Sequence, residues 1–176
     1  MPDGSGIIEN IIGMLPSAMA LLNVFISVAA VCFVIYAMVK FGALAKRDGM
    51  TRPVTPWLLL LSGAMLWNFT SATDSALETI FGSSASTETL LSYTASSSIP
   101  EETGRMLGML VMCIRFYGYY AFARGWMKVR KIGAGTAASE GAFGSASMHI
   151  LGGALAINIV QTVNGITSAL GFGDVL

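Results

Sequence analysis

From Gly141 to Gly173 the chain carries no formal charge, and the stretch inside it, Met148 to Phe172, limits the possible folds most. It reads M-H-I-L-G-G-A-L-A-I-N-I-V-Q-T-V-N-G-I-T-S-A-L-G-F. That is long enough to cross a bilayer, which takes roughly 20 mainly apolar residues. It is nevertheless a poor lipid-facing helix. His149, Asn158, Gln161 and Asn164 each need a hydrogen-bond partner in hydrocarbon. Gly152, Gly153, Gly165 and Gly171 leave its surface notched. Polar groups and small residues are what membrane helices use to hold one another. This stretch therefore demands protein around it.

The rest of the chain supports a membrane setting. Only 11% of its 176 residues are charged and 54% are hydrophobic, against about 25% charged in an average soluble domain. The fold class expected is all-α: an integral membrane protein of four hydrophobic helices in a single domain, residues 1–176. The spans are placed at 19–41, 57–73, 106–126 and 148–172. Pro16 precedes the first. Thr55-Pro56 reads as an N-cap and first-turn proline for the second. Short interfacial helices are expected in the acidic connector, around Leu77/Ile80/Phe81 and Leu90/Leu91/Tyr93. Residues Gly133 to Ser147 form a Gly/Ala/Ser-rich connector, which makes the last two spans an antiparallel hairpin.

Charge alternates from connector to connector. Lys40 to Arg52 holds four bases (Lys40, Lys46, Arg47, Arg52) and one acid. Asp74 to Arg105 holds five acids and one base, and Arg124 to Glu140 holds four bases (Arg124, Lys128, Arg130, Lys131) and one acid. Basic connectors stay cytoplasmic, so both termini and the acidic loop face the other side, the periplasm in a bacterium. The first residues carry Asp3 and Glu9 and lack the positive start of a secretory signal. Net charge is zero, so neither bulk attraction to nucleic acid nor direct sequence-specific binding of it is expected.

Arg115 stands mid-way along the third span. An arginine at the bilayer centre costs from about 3 kcal/mol on insertion scales to more than about 10 in simulations. Three readings are open: a structural arginine satisfied inside the bundle, a lipid-binding or lumen-facing one, or one with a transport or catalytic role. Asn158 and Gln161 are candidate neighbours at the same depth. On a straight helix Asn158, Gln161, Asn164 and Ser168 fall within an arc of about 120°, a seam for helix contact or a channel wall. Gly104/Gly108, Gly152/Ala156 and Gly165/Ala169 are small-residue pairs suited to close packing, with Gly153 beside them. Arg124, Lys128, Arg130, Lys131, Lys40, Lys46 and Arg47 are the candidates to meet lipid headgroups or line a lumen. No nucleophile–base pair, phosphate loop or metal-ligand motif occurs, and His149 is the only histidine. An enzyme is not expected, nor any cofactor beyond bound phospholipid.

The segment H-I-L-G-G-A-L-A-I-N-I (His149 to Ile159), preceded by an arginine-containing aromatic span and a basic Gly/Ala linker, resembles the TraQ and DotE (IcmC) family. These are small polytopic membrane proteins of IncI-type conjugation and of type IVB (Dot/Icm) secretion. The resemblance covers roughly the last 70 residues of the chain in motif, and all of it in hydropathy. It implies a non-enzymatic structural subunit in the inner membrane of a Gram-negative bacterium. Such a subunit would assemble with copies of itself or with other apparatus subunits for DNA or effector transfer. One alternative is a pilin-like subunit extracted from the membrane into an extracellular, lipid-associated conjugative pilus. Conjugative pilins share the basic connectors and external termini but have two spans. A small transporter or channel is a second alternative.

Overall fold

The structure, a computed structural model, describes residues 4–46, 52–82, 101–133 and 141–171, and all regular structure among them is α-helical. The helices are α1 (Gly4–Ala45), α2 (Val54–Trp67), α3 (Phe69–Phe81), α4 (Glu101–Ile132), α5 (Ala142–Ile157) and α6 (Ile159–Ala169). Arg47, the Leu90/Leu91/Tyr93 patch and connector residues 134–140 lie outside the described residues.

α1 is apolar nearly all round, as a helix surrounded by hydrocarbon is. Its 42 residues correspond to about 63 Å. It runs unbroken through Pro16, although proline removes one internal hydrogen bond; the helix therefore begins well before Met19. Two helical stretches, Asn10–Ala45 and Glu102–Ile132, are long and apolar enough to cross a membrane. α5 and α6 make a third if that bent pair is one span, while α2 is a shorter apolar helix. Sequence reading expected four continuous spans. Two of them, 57–73 and 148–172, are instead interrupted, each at an asparagine. Asn68 (φ −99°, ψ 42°) separates α2 from α3, and Asn158 (φ −112°, ψ 53°) separates α5 from α6. At Asn158 the chain turns by 93°.

The helices pack as two antiparallel pairs, α1 with α2 and α4 with α5. α4 also lies in the groove between α1 and α2, where Ile26, Leu66 and Phe69 bury Phe122 and Ala123. The basic end is tied across elements. The Thr55 hydroxyl donates to the Gly133 carbonyl at 2.6 Å, joining the start of α2 to the end of α4. Thr55 is thus not the N-cap expected of it: α2 begins at Val54, with Pro53 at the cap position and no side-chain cap. Pro56 does lie in the first turn. Trp57 packs edge-on against Phe41, ring centroids 5.3 Å apart. α3 is amphipathic, burying Phe69, Thr73 and Leu77 one turn apart while Thr70, Asp74 and Glu78 are exposed. It ends at Gly82, whose φ of 73° suits a left-handed cap.

Candidate functional site

The tightest helix contact among the described residues lies where α4 meets α5. A Cβ on Gly118 would fall 2.7 Å from the Ile157 amide nitrogen, one on Gly125 2.8 Å from that of Ile150, and one on Gly153 2.6 Å from that of Phe122. These glycines let the two backbones touch, the close approach small residues give membrane helices. Sequence reading named Gly153 but not Gly118 or Gly125. It also named Gly152 and Gly165, at whose Cβ positions nothing lies within 4 Å. Those two notches open outward. Ala156 borders Gly118, and Gly104 and Gly108 are buried near the start of α4.

Asn158 is 1% exposed, and its amide donates to the Gln161 side-chain oxygen. Its backbone N–H still bonds the Ala154 carbonyl at 3.3 Å, while its own carbonyl accepts from Thr162 at 3.0 Å. The Thr162 hydroxyl spans the bend, its one hydrogen shared between the carbonyls of Asn158 and Leu155, both at 2.9 Å. The polar seam expected along one straight helix is therefore divided: Asn158 is the corner, and Gln161, Asn164 and Ser168 lie on α6 beyond it.

Arg115 is 9% exposed. Its guanidinium donates to the Tyr119 hydroxyl over a long 3.4 Å and sits 5.8 Å from that ring's centroid. It lines a cavity of about 200 Å³ with Leu15, Pro16, Met19 and Met112. A second cavity of about 220 Å³ adjoins Met19, with Asn23, Phe69 and Tyr119 in its wall. Gly118 lies against Ile157, and Val111 packs with Val160, so Arg115 is level with the Asn158 corner, as its sequence position suggested. It is seventeen residues from Ile132, the basic end of α4, or about 25 Å along the helix.

At the basic end the cations lean on aromatic rings. Arg130 lies 5.0 Å over Phe33, Lys40 5.5 Å over Tyr36 and Arg124 5.8 Å over Tyr120; Arg124 also donates to the Tyr120 hydroxyl at 2.9 Å. Lys46 and Lys131 are exposed. Lys128 donates to the Ser145 hydroxyl at 2.8 Å and meets His149 Nε2 at 3.0 Å, while His149 Nδ1 faces the Ser145 carbonyl at 2.7 Å. A carbonyl only accepts, so Nδ1 carries the hydrogen and Nε2 accepts from the ammonium. Among the described residues no group of three His, Cys, Asp or Glu could hold a metal ion, and Cys32 and Cys113 are free and exposed.

Two residues to which the sequence assigned no such role, Gly63 and Asn68, take the same parts in the first helical pair. A Cβ on Gly63 would lie 3.3 Å from the Ala30 carbonyl of α1, and Asn68 breaks the helix five residues later. The signal was present: L-L-S-G-A-M-L-W-N-F (Leu60–Phe69) parallels I-L-G-G-A-L-A-I-N-I (Ile150–Ile159).

Compared with protein-family models, curated proteins and solved structures, the chain matches none. The class comes from the structure itself: an all-helical protein, two or three of whose helical segments have the length and apolarity to cross a membrane.

Proposed function

We propose that this chain is a non-enzymatic structural subunit of a bacterial conjugation or type IVB secretion apparatus, embedded in the inner membrane and built to assemble. The observation that carries the reading is its uncovered apolar surface. Only 17% of the most apolar stretch of α1 is buried, against 33% for α4, and the Gly152 and Gly165 notches stand open. The resemblance of the His149–Ile159 segment supplies the kind of assembly.

In this reading four segments cross the membrane, with the basic connectors cytoplasmic and the termini periplasmic. α2 and α5, of 14 and 16 residues, are about 21 and 24 Å long, somewhat short of a hydrocarbon core of about 30 Å. The asparagine corners then lie near the outer boundary, and α3 and α6 continue along it as amphipathic helices do. Arg115, level with one corner, lies nearer the headgroups than its sequence position implied. Its desolvation cost falls accordingly, and a lipid phosphate comes within reach. The basic residues at the other end face cytoplasmic headgroups.

Two helical hairpins, each with basic residues beside its turn, also favour a pilin-like subunit extracted into a filament. An in-frame deletion in the host bacterium tests the main reading. Transfer of DNA or effector should be lost and restored by the gene in trans, and the tagged chain should co-purify with other apparatus proteins. Undiminished transfer from the deletion strain, with uptake or conductance by the pure protein in liposomes, would replace the reading with a transporter. Recovery of the chain in sheared extracellular filaments would select the pilin form.

A further inference from the structure

The parallel between Leu60–Phe69 and Ile150–Ile159 extends through the whole fold. Each half runs long helix with basic residues toward its C-terminal end (Lys40 in α1; Lys128, Arg130 and Lys131 in α4), connector, shorter helix, asparagine corner, amphipathic helix. The two corners match in backbone angles and in hydrogen bonding. Asn68 N–H bonds the Ala64 carbonyl at 3.1 Å and its carbonyl accepts from Ala72 at 2.8 Å, as Asn158 does with Ala154 and Thr162. The glycine contacts match as well. A Cβ on Gly63 would meet Ala30 and Val34, and one on Gly153 would meet Gly118 and Phe122. Both pairs of partners stand 88 positions apart, as Lys40 and Lys128 do. The chain is thus two copies of one hairpin unit, α1–α3 and α4–α6.

The joint between the units is not two-fold. α4 lies in the α1–α2 groove, with Phe69 packed on Tyr119 and Phe122 at centroid distances of 6.1 and 5.9 Å. A two-fold pair would place α1 equally against α5, and among the described residues α1 and α5 have no comparable packing. One unit therefore offers its groove and the other the back of its long helix. A joint of this heterologous kind leaves one copy of each surface unused, and repetition gives a ring or a filament.

Those unused surfaces can be named. The α4 residues toward the first unit include Met112, Tyr119, Ala123 and Trp126. Their equivalents on α1, 88 positions earlier, are Val24, Val31, Ile35 and Met38, which are 59, 41, 57 and 65% exposed. They form an apolar stripe about 120° round α1 from Ala30 and Ala37. The groove residues Ile26, Leu66 and Phe69 correspond to Ile114, Ala156 and Ile159, only half-buried in the second unit.

We infer that copies of this chain join head to tail, the Val24–Met38 stripe of one copy seated in the α4–α5 groove of the next. The joint between copies repeats the joint within each copy. The inference rests on the reading of the chain as an assembling subunit, and its test does not depend on transfer activity.

Phe69 and Tyr119 touch within the chain, so their equivalents, Ile159 of one copy and Val31 of the next, should touch between copies. The full chain is expressed in its own membrane with Cys32→Ser, Cys113→Ser, Val31→Cys and Ile159→Cys and oxidised with copper phenanthroline. The expected product is a ladder of dimers, trimers and longer species on non-reducing gels. Mixed chains bearing only Val31→Cys or only Ile159→Cys should stop at a dimer with one of each. With Val31 restored and native Cys32 kept, turned about 100° round α1, coupling to Ile159→Cys should fall several-fold. Val31→Ala with Ile35→Ala, which preserves the helix, should reduce the mass of the complex extracted from membranes. Three results would overturn the inference: Val31→Cys chains coupling to one another in preference, equal capture through Cys32, or no ladder from inserted protein together with unchanged mass in the alanine variant. The last would show that lipid covers the stripe.

Discussion

Gly118 and Gly152 are both helical glycines in an apolar setting, and only the first has backbone against it. A methyl group at Gly118 forces the Ile157 backbone away, and overpacking of this kind costs about 1–3 kcal/mol. Gly118→Ala should therefore lower the unfolding midpoint in detergent, and Gly153→Ala should do the same. Gly152→Ala meets nothing within 4 Å; it should leave stability unchanged or raise it by about 0.5–1 kcal/mol, the helix preference of alanine over glycine. Sequence spacing did not separate these cases. Gly104/Gly108 and Gly152/Ala156 carry the familiar four-residue spacing, but the α4–α5 contact uses Gly118 and Gly125, seven apart, with Gly153 opposite. Close approach depends on the phases of both helices together, which neither helix reveals alone.

At the scale of the element, the two asparagine corners decide the shape. Hydropathy registers Asn158 as one polar residue in an apolar run, and a helical wheel assumes a straight axis, so the final stretch read as one continuous span. The bend was legible only by setting Leu60–Phe69 beside Ile150–Ile159. Asn158→Leu with Gln161→Leu removes a part-buried side-chain hydrogen bond together with both of its partners, a change that can be nearly neutral for stability. The variant should insert normally while α6 loses its fixed direction, so the chain should fractionate with the membrane yet assemble and transfer poorly. Wild-type transfer by this variant would remove the corner from the account. Thr55→Val, by contrast, deprives the α2–α4 tie of its donor and should cost about 1 kcal/mol, read by the same unfolding assay, with insertion unaffected.

At the scale of the molecule, charge was the most informative part of the sequence. The alternation of basic and acidic connectors gives an orientation, and the Gly/Ala-rich connector pointed to the α4–α5 hairpin; the α1–α2 hairpin, with Lys40 and Lys128 at equivalent places, came from the structure. The packing of α4 between α1 and α2 was not legible, because contacts between apolar surfaces leave no periodic mark that distinguishes protein from lipid. A reporter active only in the periplasm, fused after Leu176, should be active, and one inserted in the connector after Ile132 should be silent; the reverse pattern would invert the proposed topology. The central claim is that this chain works as an assembled subunit. Its most direct measurement is the mass of the particle extracted with its surrounding lipid from native membranes. The account predicts species at several multiples of the 18.5 kDa chain, alone or with apparatus proteins. A single chain and its lipid, whatever the expression level, would contradict it.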